Sequence, residues 1–264
     1  MTNALSCRVA ALVLAGTLWS TAGAAQSDNS SRRIRVGIGP QLVPRYPGSD
    51  DYNVRPFFDL ARADANADFD FEAADESFGF PVFRSNGFEA GPAIGFEGKR
   101  RGRDVPGVPR VGFTFEPGAF VQYSFAAPVR ARLEVRQGVG GHKGLISFAS
   151  VDYVARDGDD WLFAIGPRLT ITNGRYQRAY FGVPPESVAP SGLPAFRPSG
   201  GVQAVGANAG FLKQLTPRWG IYTYAKYDRL IDDAARSPVV RRYGSRDQFA
   251  GGLALTYTFF GRRN

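Results

Sequence analysis

His142 is the first candidate for chemistry, because it is the only histidine of the chain. A metal site usually needs several His, Cys or carboxylate ligands, and a hydrolase needs a nucleophile and an orienting acid beside its histidine. Ser147 is near His142 in sequence, but it falls on the next predicted strand and no acid partner is evident. We therefore predict no enzyme, no metal and no cofactor, and we interpret His142 as a turn residue between two strands.

A glycine-rich stretch and an excess of basic residues are the next candidates. Gly37-Ile38-Gly39-Pro40 lacks the third glycine of a dinucleotide-binding loop, and no helix is predicted after it. The 32 Lys and Arg residues exceed the 24 Asp and Glu residues, which gives a formal net charge of +8. Because export is predicted below, nucleic acid is not expected as a partner. Anionic lipopolysaccharide or anionic solutes in a lumen fit this charge better.

Charged side chains also recur at every second position of extended segments. In residues 129–136 the odd positions carry Val, Ala and Leu, and the even positions carry Arg and Glu. In a transmembrane barrel the apolar face of such a strand meets lipid and the charged face lines the lumen. This charged face predicts either a polar channel or an interior that neutralises itself with salt bridges. The candidate lumen-lining residues are Arg55, Asp59, Glu89, Glu97, Glu116, Arg130, Arg132, Glu134, Arg136, Asp152 and Arg168.

Segments with this period-2 pattern, separated by Gly, Pro, Asp and Asn, predict an all-β chain. They number 12, an even count as in single-chain bacterial barrels, and several are long enough for a tilted membrane crossing. The predicted fold is an antiparallel up-and-down transmembrane β-barrel, with a soluble periplasmic sandwich as the alternative. The predicted strands are 32–43, 54–62, 67–73, 77–83, 87–98, 110–125, 128–138, 144–156, 160–172, 200–214, 218–230 and 246–260.

The predicted connections differ in length between the two ends of the strands. Tight turns are expected at 63–66, 84–87, 126–127, 157–159 and 216–217, and most of the connections between them are long, at 44–53, 99–109, 173–199 and 231–245. Two connections on the long-loop side, 74–76 and 139–143, are short and are exceptions to this alternation. With both termini in the periplasm, the long loops are extracellular. Aromatic residues then gather at the periplasmic interface as a girdle. The candidate lipid-interface aromatics are Tyr123, Phe125, Trp161, Trp219, Tyr257 and Phe259. The last strand also ends on aromatics, like the signal that barrel-assembly machinery recognises.

The N-terminus has the three parts of a secretory signal peptide. Arg8 supplies a positive charge, residues 9–18 form an apolar core, and Ala22-Gly23-Ala24 is a small-x-small cleavage site. The only cysteine, Cys7, precedes the apolar core, whereas a lipoprotein cysteine would follow it. We predict a signal peptide over 1–24 and an outer-membrane barrel over 25–264.

Several short motifs resemble the MipA/OmpV family of outer-membrane proteins, and together they extend over nearly all of the predicted mature chain. In the first half these are Pro44 to Ser49 and Gly91-Pro92. In the second half they are Gly141-His142-Lys143-Gly144, Gly166-Pro167-Arg168, Ala179-Tyr180-Phe181-Gly182-Val183, Ser191-Gly192-Leu193, Tyr227-Asp228-Arg229-Leu230 and Asp232 to Val240. The resemblance implies an outer-membrane barrel of a Gram-negative bacterium. It implies no catalytic residues, because the family shares none.

Three functions remain open at this point. The resemblance implies a scaffold that joins a murein lytic transglycosylase to a murein synthase. The mixed charge of the inner face favours a porin or channel for small solutes, narrowed by loop 173–199. The long loops favour a surface that binds ligands or adheres to other cells.

Overall fold

The wall of the molecule is one continuous antiparallel sheet. The computed structural model describes residues 32–64, 67–125 and 128–261. The predicted signal peptide, with Cys7 and Arg8, lies outside the described residues, as do residues 65–66 and 126–127 of two predicted turns and the last three residues. Within the described residues no helix is long and apolar enough to cross a membrane.

The described residues form thirteen strands, four short α-helices and one 3-10 helix at Pro185–Ser187. The strands are β1 (Arg32–Pro44), β2 (Tyr52–Asp64), β3 (Phe78–Gly79), β4 (Phe83–Ser85), β5 (Phe88–Glu97), β6 (Thr114–Ser124), β7 (Val129–Gln137), β8 (Val139–Gly140), β9 (Leu145–Asp157), β10 (Trp161–Thr172), β11 (Gly201–Gln214), β12 (Trp219–Leu230) and β13 (Asp247–Phe260). The helices are α1 (Gly174–Phe181), α2 (Val188–Ser191), α3 (Asp232–Arg236) and α4 (Pro238–Tyr243).

The sheet follows chain order and is joined through the termini. Its order is β2-β1-β13-β12-β11-β10-β9-β7-β6-β5-β3, with β4 also paired to β5 and β8 to β6. The first and last long strands are neighbours, with Arg33 opposite Phe260 and Val36 opposite Tyr257. This arrangement confirms the predicted all-β, antiparallel, up-and-down barrel wall.

The segment 67–77 departs from the sequence prediction. A strand was predicted over 67–73, but residues 67–77 form no strand and run through the interior of the barrel. A single strand was also predicted over 77–83. The structure has two shorter strands there, β3 and β4, which each pair with β5. The strand prediction for 67–73 is therefore wrong for this structure, and the cause is a set of ion pairs inside the barrel that local sequence does not reveal.

Polarity in this barrel is reversed relative to a soluble domain. Long apolar side chains such as Val54, Phe58 and Leu60 on β2 point outward and are about half exposed or more, whereas Arg130, Glu134 and Asp152 are buried inside. A soluble sandwich would bury the first group and expose the second. The alternation therefore builds a wall with an apolar exterior and a charged interior, as a membrane barrel requires.

The two ends of the barrel are built differently. At the short-turn end lie Arg32, Phe260 and the connections 86–87, 158–160 and 215–218. At the opposite end five connections pack together into a folded layer, which we call the cap. The cap comprises residues 45–51, 98–113, 138–144, 173–200 and 231–246 and contains all four α-helices and the 3-10 helix.

Candidate functional site

The interior of the barrel holds a ladder of ion pairs that crosses neighbouring strands. On β7, Arg132 Nη2 donates to Glu134 Oε2 at 2.8 Å, and Arg136 Nη1 to Glu134 Oε1 at 2.5 Å. Arg136 Nε also donates to Glu116 Oε2 on β6 at 2.9 Å. Because Glu116 and Glu134 are almost fully buried, these contacts supply the partners that buried carboxylates need.

A second part of the ladder spans β7, β9 and β10. Asp152 accepts hydrogen bonds from Arg130 Nη2 at 3.2 Å and from Arg168 Nη2 at 2.8 Å. All three side chains are more than nine-tenths buried. The inward parity of the strands thus brings distant residues into one network.

Segment 67–77 enters this network from the chain connection after β2, and we call it the plug. Its Asp75 is held by Arg168 Nε at 2.9 Å and by Lys226 Nζ at 3.2 Å. Its Glu76 is paired with Arg130, and Ser77 Oγ donates to Glu134 Oε1 at 2.6 Å. The plug therefore contributes carboxylates to a site where the wall contributes mainly cations.

Aromatic residues fix the other half of the plug. The guanidinium groups of Arg33 and Arg35 lie 4.8 and 4.9 Å from the ring centre of Phe69, and that of Arg130 lies 4.4 Å from Phe71. These distances are within the range of cation–π attraction. Tyr222 Oη donates to the carbonyl of Glu72 at 3.2 Å. The plug is thus anchored along its length by both charge and stacking.

The cap has its own hydrophobic core. Tyr176, Tyr180 and Phe181 of α1 are buried there with Val105, Val239 and neighbours from every long connection. Burial raises the pKa of the Tyr176 and Tyr180 hydroxyls well above their ordinary value. Arg100 is 1% exposed and donates to the carbonyls of Tyr180 at 2.6 Å and Pro109 at 2.7 Å. The loops at this end form an ordered layer.

His142 joins the cap to the ladder. Its Nδ1 accepts from the amide of Gly144 at 3.0 Å, so Nε2 carries the proton and donates to Glu116 Oε1 at 2.7 Å. The ring packs against Tyr176 with centroids 4.6 Å apart. A Cβ at Gly138 would come within 2.3 Å of the ring, so glycine is needed for this close approach. His142 does lie in the predicted turn, but it is fully buried and links two parts of the molecule.

The structure brings seven of the eleven candidate lumen-lining residues into the ladder, and these are Glu116, Arg130, Arg132, Glu134, Arg136, Asp152 and Arg168. The other four point inward but lie outside it. Asp59 pairs with Arg35 at 2.8 Å, and Glu89 accepts from Gln122 at 2.7 Å. Glu97 accepts from the amide of Gly98, and Arg55 donates to the carbonyl of Arg45.

Sequence reasoning missed four important partners. Arg35 and Lys226 share the inward parity of β1 and β12, so the same period-2 argument could have found them. Asp75 and Glu76 follow the predicted strand 67–73, and no local pattern marks them as partners of residues on β7 and β10. Their role depends on contacts across 93 and 54 residues of sequence.

The six candidate interface aromatics lie at the short-turn end of the wall. Trp219 contacts Tyr257 with ring centroids 4.7 Å apart, and Tyr257 contacts Phe259 at 4.8 Å. Tyr123 and Phe125 pack edge-to-face at 4.8 Å. Trp161, at the start of β10, is partly buried. Loop 173–199, which the channel hypothesis assigns to narrowing the lumen, is part of the cap core.

The wall of antiparallel strands has an apolar exterior and a charged interior, and it carries a plug and a cap. These features define an outer-membrane-type β-barrel protein. Residues 36–259 match the family described as MltA-interacting protein MipA. The chain belongs to this family, which confirms the resemblance found in its motifs.

Comparison with solved structures finds other bacterial barrels at low similarity. An outer membrane channel from Pseudomonas putida F1 is 9% identical, with 90% of this chain and 100% of that chain covered and a TM-score of 0.38. The outer membrane protein OprG from Pseudomonas aeruginosa is 10% identical, with 87% and 96% covered and a TM-score of 0.27. The attachment invasion locus protein Ail of Yersinia pestis is 11% identical, with 87% and 99% covered and a TM-score of 0.21. No curated protein matches the sequence.

Proposed function

We propose that this protein is a non-catalytic interaction barrel of the Gram-negative outer membrane that scaffolds murein synthesis. The observation that carries the proposal is the filled lumen. The plug occupies the interior of the barrel and the cap covers one end of it, so the lumen is closed. A closed barrel presents surfaces to partners more readily than it passes solutes. The name of the family, MltA-interacting protein, supports a murein lytic transglycosylase as the partner, with a murein synthase as the second protein of the assembly.

The short-turn end is the surface that we assign to this partner. With the predicted signal peptide removed and both termini in the periplasm, this end faces the murein layer. It carries a groove of about 490 Å³ lined by Arg33, Phe69, Asp159, Leu215 and Phe260 among others. Leu215 is 57% exposed there. The groove provides a shaped and partly apolar site that tight turns alone would lack.

Co-purification tests the scaffold role. The tagged full-length protein is isolated from detergent-solubilised envelopes and probed for lytic transglycosylase and murein synthase, and binding is repeated with purified proteins. We expect Leu215→Asp to weaken binding about tenfold or more if Leu215 packs at the centre of the interface. Val188→Asp, an exposed change in the cap at the other end, is the matched control. Failure of both enzymes to bind the purified protein would disprove the proposal.

The charge of the cap favours a second candidate function, which is binding of anionic surface glycolipid. The cap carries 14 Lys and Arg residues and 6 Asp and Glu residues. Of the described ion pairs, only those of Arg45 and Arg236 involve cap cations. Lys99, Arg241 and Arg242 are exposed. A cationic cap facing outward would attract the phosphates of lipopolysaccharide.

Binding to purified lipopolysaccharide tests this second role. We expect Arg241→Glu together with Arg242→Glu to weaken binding and to reduce its salt dependence, because two cations near the phosphates are replaced. Arg218→Glu, at the short-turn end, is the control. Equal binding of intact and dephosphorylated lipopolysaccharide would show that the cap charges are not responsible.

A further inference from the structure

One connection of the cap is more basic than the others. Residues 98–113 join β5 to β6 and carry five Lys and Arg residues but only one carboxylate, that of Asp104. The Asp104 side chain is buried and paired with Arg45 of another cap connection. We call residues 98–113 the basic hairpin, because the amides of Arg100 and Val111 each donate to the carbonyl of the other residue, at 3.1 and 2.9 Å. Its positive charge is therefore not balanced within the hairpin.

Four cations of the basic hairpin remain at the surface. The exposed residues are Lys99, Arg101, Arg103 and Arg110. None of them takes part in a described ion pair of the cap. Arg101 and Arg110 stand opposite each other across the hairpin, one position beyond the bridge that joins its two sides. Like charges in directly opposite positions repel each other, and a bound anion would remove this repulsion.

The cap core holds the basic hairpin in one conformation. Arg100, which lies between two of the exposed cations in the chain, is buried and donates to the carbonyls of Tyr180 at 2.6 Å and Pro109 at 2.7 Å. Val105 and Val108, near the tip of the hairpin, are buried in the same core as α1. A site whose backbone is already ordered loses little conformational freedom when a ligand binds. The hairpin therefore presents its cations in a preorganised arrangement.

Three phenylalanines lie at the base of the basic hairpin. Phe96 and Phe115 are opposite each other on β5 and β6, with ring centroids 5.7 Å apart, and Phe113 stacks on Phe96 at 6.0 Å. All three side chains are exposed on the apolar exterior of the wall. Phe96 is three residues from Lys99, and Phe113 is three residues from Arg110. The rings and the cations therefore lie within about 11 Å of each other along the chain.

A second outward aromatic pair at the cap end has a different electrostatic setting. Tyr227 on β12 packs against Phe249 on β13 with ring centroids 5.0 Å apart. There Asp247 accepts hydrogen bonds from Tyr227 Oη and from Arg229 Nη1, both at 2.6 Å. A carboxylate beside the rings repels a phosphate, whereas the one carboxylate of the basic hairpin is buried. Outward rings beside unpaired cations are thus a feature of the basic hairpin and not of this second pair.

We propose that the basic hairpin and its three phenylalanines form a binding site for one molecule of a phosphorylated glycolipid, the lipopolysaccharide of the outer leaflet. Lys99, Arg101 and Arg110 donate to its phosphates, because ammonium and guanidinium groups form strong charge-assisted hydrogen bonds with phosphate oxygens. The phenylalanines pack against its acyl chains, which begin directly below the phosphates. This inference rests on the second candidate function, with the cap outward. It makes that function specific, because it names the part of the cap that binds and requires both phosphates and acyl chains.

Native mass spectrometry of the full-length protein, purified in detergent, tests the cationic half of the site because it counts bound molecules. The probe is lipid A, the part of lipopolysaccharide that carries these phosphates and acyl chains, and we expect one molecule to be retained. Lys99→Gln with Arg110→Gln should weaken its binding roughly tenfold or more, since two charge-assisted hydrogen bonds are lost. Arg229→Gln is the matched control, because Arg229 is also exposed at the cap end but is already paired with Asp247.

Phe113→Ala tests the apolar half of the site. We expect lipid A to bind about threefold more weakly, because packing against an acyl chain is lost while the surrounding lipid or detergent remains equally apolar. Deacylated lipid A should bind more weakly than the intact probe and should not distinguish this variant from the wild type. Phe249→Ala, in the second aromatic pair, is the control and should leave the binding of lipid A unchanged.

The outcomes separate this site from the wider function. If dephosphorylated lipid A binds as tightly as the intact probe, the cations are not responsible and the proposal is overturned. If deacylated lipid A binds as tightly, the hairpin recognises an anion rather than a lipid, which also overturns it. If the wild type and the Lys99 and Arg110 variant retain lipid A equally, the glycolipid binds elsewhere on the cap and only this site is disproved. A wild-type protein that retains no lipid A would disprove the second candidate function together with this site, and the scaffold role would be unaffected.

Discussion

At the scale of single residues, the buried polar groups of this barrel depend on a few specific partners. His142 holds Glu116 from the cap side, while Arg136 holds it from the lumen side. Arg168 bridges Asp75 of the plug and Asp152 of the wall. Such buried groups are sensitive to substitution, because a lost partner leaves a charge or donor unsatisfied.

Replacing His142 tests the link between cap and barrel. We predict that His142→Ala lowers the free energy of unfolding by about 1–3 kcal/mol, because Glu116 loses a buried hydrogen-bond donor. The measurement is urea unfolding of the protein refolded into lipid vesicles. Lys143→Ala, at the exposed neighbouring position, is the control. Equal stability of the two variants would show that the His142 contact contributes nothing.

Replacing Arg168 tests the bridge between plug and wall. We predict that Arg168→Ala lowers the free energy of unfolding by roughly 3–5 kcal/mol, because it removes one partner of two buried carboxylates. The loss is smaller to the extent that Lys226 still pairs with Asp75 and Arg130 with Asp152. Arg229→Ala is the comparison, since Arg229 makes an exposed pair with Asp247 and such pairs add little. The same urea assay distinguishes them, and a larger loss for Arg229→Ala would contradict the ladder as described.

At the scale of elements, the strands were predictable and the plug was not. The alternation in residues 129–136 predicts β7, and the same pattern places Arg130 and Glu134 inside. Residues 67–73 show an equally good alternation, yet they lie in the lumen. The difference arises from Asp75 and Glu76, whose partners are remote in sequence. The period-2 pattern shows which side chains of a segment share a face. Whether the segment pairs with other strands in the wall or lies inside the lumen depends on contacts with residues that are remote in sequence.

The cap is the element whose order the sequence did not indicate. Its core depends on α1, whose Tyr180 is fully buried. We predict that Tyr180→Ala loosens the cap while the barrel stays folded, so that trypsin cleaves at Arg175, Arg178 or Arg197 much faster than in the wild type. Phe196→Ala, at the partly buried margin of the core, should have a smaller effect. Unchanged cleavage of Tyr180→Ala would contradict an independent cap core.

At the scale of the whole molecule, the apolar exterior and the charged interior require a membrane. We predict that the unheated protein migrates faster than the boiled protein in detergent gels, because a folded barrel stays compact and binds less detergent. The tagged protein is compared before and after boiling, with a soluble β-sandwich as control. Identical migration in both samples would favour the soluble sandwich that the sequence alone left as an alternative.

The cap core also has a consequence for the order of assembly. It joins Tyr46, from the first long connection, to Val239 and Val240, from the last. A barrel that lacks its last strands would lack Val239 and Val240, so the complete cap core forms only after the final hairpin of β12 and β13 has been made. Resistance of the cap connections to protease therefore marks a finished barrel, and a stalled insertion intermediate would expose these same connections to quality-control enzymes.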